Sequence, residues 1–260
     1  MEETEPDWWK RLFDETYLVT DARSVCDEAL TAREVDFLEG ILKPEKTGPI
    51  LDICGGQGRH ALELSRRGYA DVSVVDYSEF LIDLGRRRSQ HEGLDTRFIR
   101  CDARDTKLPS GRFMVIIVMA GSFGYFVDEN ENRKILREAF RLLRPGGRLL
   151  LDLPSRDYIL KHFSARTWHE ADTDTVVCRQ RKLQDDIIYS REMVISKRKG
   201  LIRDEDYFIR LYTQEAITDM LSAVGFGDIR VQMDFSPHGK NGDYGCMTNR
   251  MIVIATKKNG

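Results

Sequence analysis

The stretch that most constrains this chain is residues 50–60, Ile-Leu-Asp-Ile-Cys-Gly-Gly-Gln-Gly-Arg-His. A short apolar run ends in a cluster of glycines, and residues 57–67 then carry a helical pattern closed by Gly68. A strand that feeds a helix through glycines leaves backbone N–H groups free at the helix N-terminus, and the missing side chains let a ligand approach the backbone. Such a turn suits a nucleoside cofactor. It does not say which one, because Gly56-Gln57-Gly58-Arg59-His60-Ala61 also fits the dinucleotide fingerprint with alanine in third place.

The elements around this turn alternate. Strands are expected over residues 71–76, 97–101, 113–119 and 148–153, with helices opened by Ser78 and Asp128 and a turn at Pro145-Gly146-Gly147. The runs at 113–119 and 148–153 are almost wholly apolar, as strands covered by helices on both faces must be. Repeated strand–helix units with right-handed crossovers give an α/β, doubly wound parallel sheet. After Ser155 the rhythm changes. A short helix precedes three β-rich runs, 175–183, 187–197 and 203–212, joined by polar turns, which read as an antiparallel meander rising from the carboxyl edge of the sheet. Thr213 then caps a helix ended by Gly225, and residues 228–235 and 250–256 form a closing pair of strands. Before the core, Trp8, Trp9, Leu12, Phe13 and Tyr17 share one face of an amphipathic helix within residues 1–20, suited either to packing on the core or to lidding the cleft. Thr31-Ala32-Arg33-Glu34 reads as a capping box opening a second helix.

Charge and cysteine usage narrow the partners. Forty basic against 43 acidic residues leave a net charge of -3, which gives no general attraction to phosphate backbones, so no nucleic acid is expected. The five cysteines show no Cys-x-x-Cys spacing and no Cys/His cluster, so neither a metal site nor a disulfide framework is expected. Neither a signal-peptide pattern nor an apolar run of ~20 residues is present, and a cytoplasmic protein with no membrane partner is the expectation.

Three acids separate the cofactor readings. Asp52 lies two residues before the Cys54-Gly55-Gly56 corner, where a dinucleotide site wants an apolar strand end. Asp76 closes the second strand, 18 residues after Gly58, and suits a ribose diol; Asp102 closes the third, beside Ala103. These acids would repel a pyrophosphate but suit a ligand with an amino group, a ribose and an adenine.

Residues 51–58 with Asp76, Cys101-Asp102-Ala103 and Leu143-Arg144-Pro145-Gly146-Gly147-Arg148-Leu149 resemble the class I S-adenosylmethionine-dependent methyltransferases. The resemblance implies a Rossmann-like seven-stranded sheet, its last strand antiparallel, with S-adenosyl-L-methionine as cofactor. It places Asp52, Gly56 and Gly58 at the methionine end, Asp76 at the ribose, and Asp102 with Ala103 at the adenine. Cys54, Gly55, His60, Tyr77 and Met119 complete the expected cofactor set. The family usually has glycine where this chain has Cys54. The chain then divides into a helical lid region (1–45), a cofactor-binding core (46–154 and 213–260) and an inserted β-rich cap (155–212) that could also make a homodimer.

Methyl transfer from a sulfonium to an N or O atom of a small molecule, less readily to C or S, is the expected activity; alignment and exclusion of water are its main needs. No Asn/Asp-Pro-Pro-aromatic sequence, the mark of adenine or glutamine amino methylation in related enzymes, follows the fourth strand. Tyr125 and His238 are the candidate catalytic residues. Tyr17, Phe123, Trp168, Arg210, Tyr212 and Tyr244 are the candidate acceptor contacts. The alternatives are a nicotinamide-dependent oxidoreductase, which Asp52 and Asp102 disfavour, and a non-catalytic S-adenosylmethionine-binding or assembly protein.

Overall fold

The structure is a computed structural model that describes residues 4–238 and 245–258. The chain opens with a 3-10 turn, Trp8–Lys10, followed by α1 (Glu15–Thr20), α2 (Ala22–Val25) and α3 (Glu28–Leu42). The core then runs β1 (Ile50–Ile53), α4 (Arg59–Arg66), β2 (Val72–Asp76), α5 (Glu79–His91), β3 (Arg97–Arg100), β4 (Phe113–Val118), α6 (Glu129–Leu142) and β5 (Leu143–Pro154). Next come α7 (Arg156–Lys161), β6 (Arg166–Glu170), β7 (Thr175–Gln184), β8 (Ile187–Ser196) and β9 (Gly200–Arg210). The chain closes with α8 (Gln214–Val224), β10 (Phe226–Phe235) and β11 (Arg250–Lys257).

Seven strands form one sheet in the order β10-β11-β5-β4-β1-β2-β3, with β11 antiparallel to both neighbours. The strand order reverses between β1 and β4, so a crevice opens at their carboxyl ends. Helices α6 and α8 pack on one face through Leu136, Ala139, Ile217 and Leu221; α3, α4 and α5 cover the other through Val35, Leu38, Leu62 and Ile82. All six residues of β4 are buried, as its unbroken apolar run requires.

The N-terminal segment departs from the expected single helix. Asp14 starts α1 by accepting from the backbone of Thr16 at 2.8 Å and of Tyr17 at 3.2 Å, which stops any helix arriving from upstream. Trp8, Trp9 and Leu12 bury themselves against Ile187 and Phe208 of the meander. The capping box at Thr31 is also not a cap. Asp27 caps α3 by accepting from Leu30 N at 2.8 Å, and Thr31 and Glu34 lie inside the helix. Helix α3 packs on the sheet through Val35, Leu38 and Leu42, while Trp9, Phe13, Tyr17 and Val25 from the segment before it line the cleft.

The meander has four strands, β6 to β9, where three were expected. Its extra strand β6 alternates exposed and half-buried residues, a weak period-2 signal at a sheet edge. No helix among the described residues is long and apolar enough to cross a membrane.

Candidate active site

The crevice holds a cavity enclosing about 1030 Å³, part of it open to solvent. Its floor is the glycine turn. Cys54, at φ 57°, takes the left-handed conformation that favours glycine, which is the physical meaning of the irregular residue at this position. Gly58, also left-handed at φ 72°, starts α4 at Arg59, two residues later than the sequence pattern suggests; a Cβ there would stand 2.5 Å from the Phe98 ring. Gly58 therefore serves close packing and does not line the cavity, a correction to its expected place among the cofactor contacts.

Asp52 is the most informative residue of the site. It is 0% exposed, neither carboxylate oxygen has a hydrogen-bond partner among the described residues, and burial pushes its pKa from 3.8 up to about 8. A buried, unpartnered carboxylate is costly unless a cation meets it, and Asp52 lines the cavity. On the same floor Arg59 faces the cavity with Nη1 held by Thr31 at 3.1 Å and by Glu34. An acid and an arginine together match the two charges of an amino-acid tail.

Asp76 ends β2, where its oxygens accept from Gly56 N and Ser78 N, each at 2.8 Å. Burial raises its pKa against those bonds, and its remaining lone pairs suit a diol. Asp102 is not an open acceptor. Arg104 holds it, with Nη2 at 2.6 Å from Oδ2 and Nε at 3.0 Å from Oδ1. Burial pushes Asp102 up, and the bonds and charge of Arg104 outweigh this and leave its pKa lowered. The same guanidinium lies 4.6 Å over Phe126, and Trp9 meets Tyr77 edge-on at 4.7 Å. With Ala103 and Leu81 these rings make a flat, apolar slot.

Cys54, Gly55, Gly56, His60, Tyr77, Ala103 and Met119, all expected cofactor contacts, line this cavity. His60 also bonds through Nε2 to Glu34 Oε2 at 2.9 Å, and burial with nearby Arg59 lowers its pKa to about 4. Glu34 is the centre of a sealed network. Burial pushes its pKa up, but Arg59, His60 and Arg250 around it hold the carboxyl well below its usual range. Arg250 in turn reaches Asp152 Oδ2 at 2.5 Å, and that oxygen accepts from Ala120 N at 2.9 Å. The network thus runs from α3 beneath the cavity to the end of β4.

A second cavity, about 950 Å³, adjoins the first. The two share Phe13, Tyr17, Val25, Ala120 and Tyr125, which form a neck between them. Phe13 stacks on Tyr125 at 5.8 Å and meets Tyr17 edge-on at 5.0 Å. Burial raises the pKa of both phenols, so each stays protonated at neutral pH.

Tyr17 and Tyr125 are therefore at the junction, where the raised pKa of Tyr125 disfavours its phenolate. The other acceptor candidates are elsewhere. Phe123 is wholly buried against Tyr212 at 5.4 Å, both inside the core. Arg210 donates from its side chain to Val127 O at 2.8 Å, and its backbone N–H donates to Gly124 O at 2.8 Å, so it staples the loop that carries Tyr125. Trp168 stands 70% exposed on the edge strand β6. His238 lines neither cavity; burial and Arg250 lower its pKa to about 4. Tyr244 lies outside the described residues. Sequence reasoning missed Arg59, Arg104 and Gln57 as cavity residues. Arg59 was inside the glycine-turn motif, but only Glu34 and Thr31 from a separate helix give it a place.

Comparison with known proteins agrees with this geometry. Residues 50–147 match a family model described as a methyltransferase domain. The putative methyltransferase YqeM of Bacillus subtilis (strain 168) is 27% identical over 82% of this chain and 88% of its own length. A demethylmenaquinone methyltransferase of Thermus thermophilus is 36% identical over 39% of this chain and 45% of its own length. A glycine/sarcosine N-methyltransferase of Halorhodospira halochloris is 33% identical over 50% of this chain and 48% of its own. A solved S-adenosylmethionine-dependent methyltransferase from Clostridium acetobutylicum shares the fold, with a TM-score of 0.73 at 15% identity over 94% of this chain and 97% of that one. The sheet, the glycine turn and these matches define a class I methyltransferase. The chain is an enzyme, and solved methyltransferases that share its fold hold S-adenosylmethionine or S-adenosylhomocysteine.

Proposed function

We propose that this enzyme methylates an N or O atom of a small molecule held in the second cavity, with the cofactor in the first. The observation that carries the reading is the shared neck, which joins a charged cavity to a second cavity beside the meander. The glycine/sarcosine relative is by its name an N-methyltransferase of small amino acids, which supports a small-molecule acceptor.

In this reading Asp52 takes the ammonium of the cofactor's amino-acid tail, Arg59 its carboxylate and Asp76 its ribose diol, while Tyr77, Ala103 and Phe126 enclose the adenine. S-adenosylmethionine, when bound, supplies a methyl group already activated by its sulfonium. The chain's task is then to align and to dry. Phe13, Tyr17 and Tyr125 narrow the passage and exclude water, and their rings favour a cationic sulfur by roughly 0.5 to 2 kcal/mol. Residues 4–27 and 155–212 act as the cover, and residues 46–154 with 213–258 as the cofactor-binding core.

The test is transfer of label from methyl-tritiated S-adenosylmethionine into the small-molecule fraction of a cell extract. Ser190→Trp, which projects an indole into the chamber, should strongly reduce labelling while calorimetry shows cofactor affinity unchanged. Full labelling by that variant would mean that the acceptor binds elsewhere.

A further inference from the structure

The inner face of the meander carries buried polar chemistry that methyl transfer itself does not use. Arg179 and Arg181 on β7 lie opposite Glu192 and Ser190 on β8, and Ser190 lies opposite Tyr207 on β9. All five line the second cavity. Arg179 is held on two sides: Nε donates to Glu192 at 2.7 Å and Nη2 donates to Asp21 of the N-terminal cover at 2.9 Å. Its third nitrogen, Nη1, and the Ser190 hydroxyl make no hydrogen bond among the described residues, although Ser190 is only 2% exposed. Arg181 gives one nitrogen to Thr167 Oγ1 at 3.0 Å. The wall of the chamber thus offers fixed donors to a ligand, and Arg179 is pre-oriented by two carboxylates rather than left to wave.

The neck has the opposite character. Its five residues, Phe13, Tyr17, Val25, Ala120 and Tyr125, include no His, Lys, Asp or Glu. An alcohol would need a base there to become a nucleophile; the two phenols stay protonated, and the carboxylates that line the chamber, Asp21 and Glu192, are held by Arg179. An amine needs none: entering a dry aromatic passage disfavours the ammonium form, so its proton leaves to water before transfer. The free amine's lone pair then bonds to the methyl carbon as the carbon–sulfur bond breaks, and the pair stays on sulfur. The N-methylammonium product loses its proton to solvent.

We propose that the acceptor is a polar small molecule bearing an amine together with carboxylate or hydroxyl oxygens, with the nitrogen at the neck and Arg179 Nη1 and Ser190 reading the oxygens. This rests on the chamber being the acceptor site. An apolar ring in its place would leave both donors desolvated and unpaired.

The experiment measures S-adenosylhomocysteine formation by the full chain with three probes: sarcosine, glucosamine and a reduced 1,4-naphthoquinol. Turnover of sarcosine assigns the oxygens to an amino acid, and turnover of glucosamine assigns them to an amino sugar. Arg179→Met should raise KM for the active amine by roughly 10- to 100-fold with kcat nearly constant, and Arg179→Lys should restore part of it. Ser190→Ala, which leaves the ion pairs intact, should raise the same KM several-fold without changing cofactor affinity by calorimetry. Turnover of naphthoquinol alone, of no probe, or an unchanged KM in Ser190→Ala overturns the proposal. If extract labelling still depends on an open chamber while both amines fail, the chamber reading stands and this one falls. If Ser190→Trp labels the extract fully, both fall.

Discussion

Two buried ion networks flank the neck, and they are built differently. Beneath the cofactor cavity, Glu34, Arg250 and Asp152 are 0 to 1% exposed and tie α3, β11 and β5 to the end of β4. Beside the second cavity, Arg179 and Arg203 of the meander hold Asp21 and Asp14 of the N-terminal segment, with Asp21 35% and Asp14 47% exposed at their side chains. The first joins elements that are already packed on one sheet. The second joins two covering layers to each other. A sealed network has no solvent to compensate a lost partner, so the cofactor half is expected to be rigid. The pairs beside the second cavity are partly solvated at Asp21 and Asp14, so a lost partner there costs less.

The largest expected effect breaks the sealed network. Glu34→Ala leaves Arg59 and Arg250 buried without their shared partner and should destabilise the fold by about 3 to 5 kcal/mol, read from denaturant unfolding. A loss below 1 kcal/mol would remove the contrast between the networks. Next, Asp76→Ala should weaken S-adenosylmethionine binding by roughly 100-fold, from two lost charge-assisted bonds; unchanged affinity would mean that the ribose lies elsewhere.

Asp52 gives a pH dependence of defined sign. Its folded pKa is raised by burial, from 3.8 to about 8, so between those values the folded ligand-free protein holds a proton that the unfolded chain has released. Its share of stability is fully present below the lower value, falls as pH rises and levels off above about 8. A bound ammonium favours the carboxylate and expels that proton. Cofactor affinity should therefore climb by up to about tenfold per pH unit from pH 6 toward 8 in calorimetry, and Asp52→Asn should flatten the slope. The smallest effect belongs to the half-exposed pair: Asp21→Asn should cost about 1 kcal/mol or less and leave cofactor affinity unchanged. A cost as large as that of Glu34→Ala would make the two networks equivalent.

Much of the cofactor half was legible because its signals are local. The strand, glycine turn and Asp52 lie within a few residues, and Asp76 and Asp102 end consecutive strands, so strand periodicity alone brings them to one edge. Thr31 and Glu34 misled as a capping box because a helix start and a buried ion pair use the same residue types. What distinguishes them is whether Arg250, 216 residues away, comes to meet Glu34. Phe123, Arg210 and Tyr212 were misplaced for the same reason. An aromatic or arginine after a strand can face the cleft or the core, and only the packing of the loop against β9 decides which.

The sequence by itself determined the fold and brought Asp52, Asp76 and Asp102 to one cavity, since these depend on element order and on residues near in the chain. Tertiary structure alone decided that Arg59 faces the cofactor cavity, that Tyr17 and Tyr125 form a neck without a base, and that Arg179 and Ser190 wall the chamber. Each of those depends on contacts between segments far apart in the chain, and local pattern carries no information about which distant segments will touch.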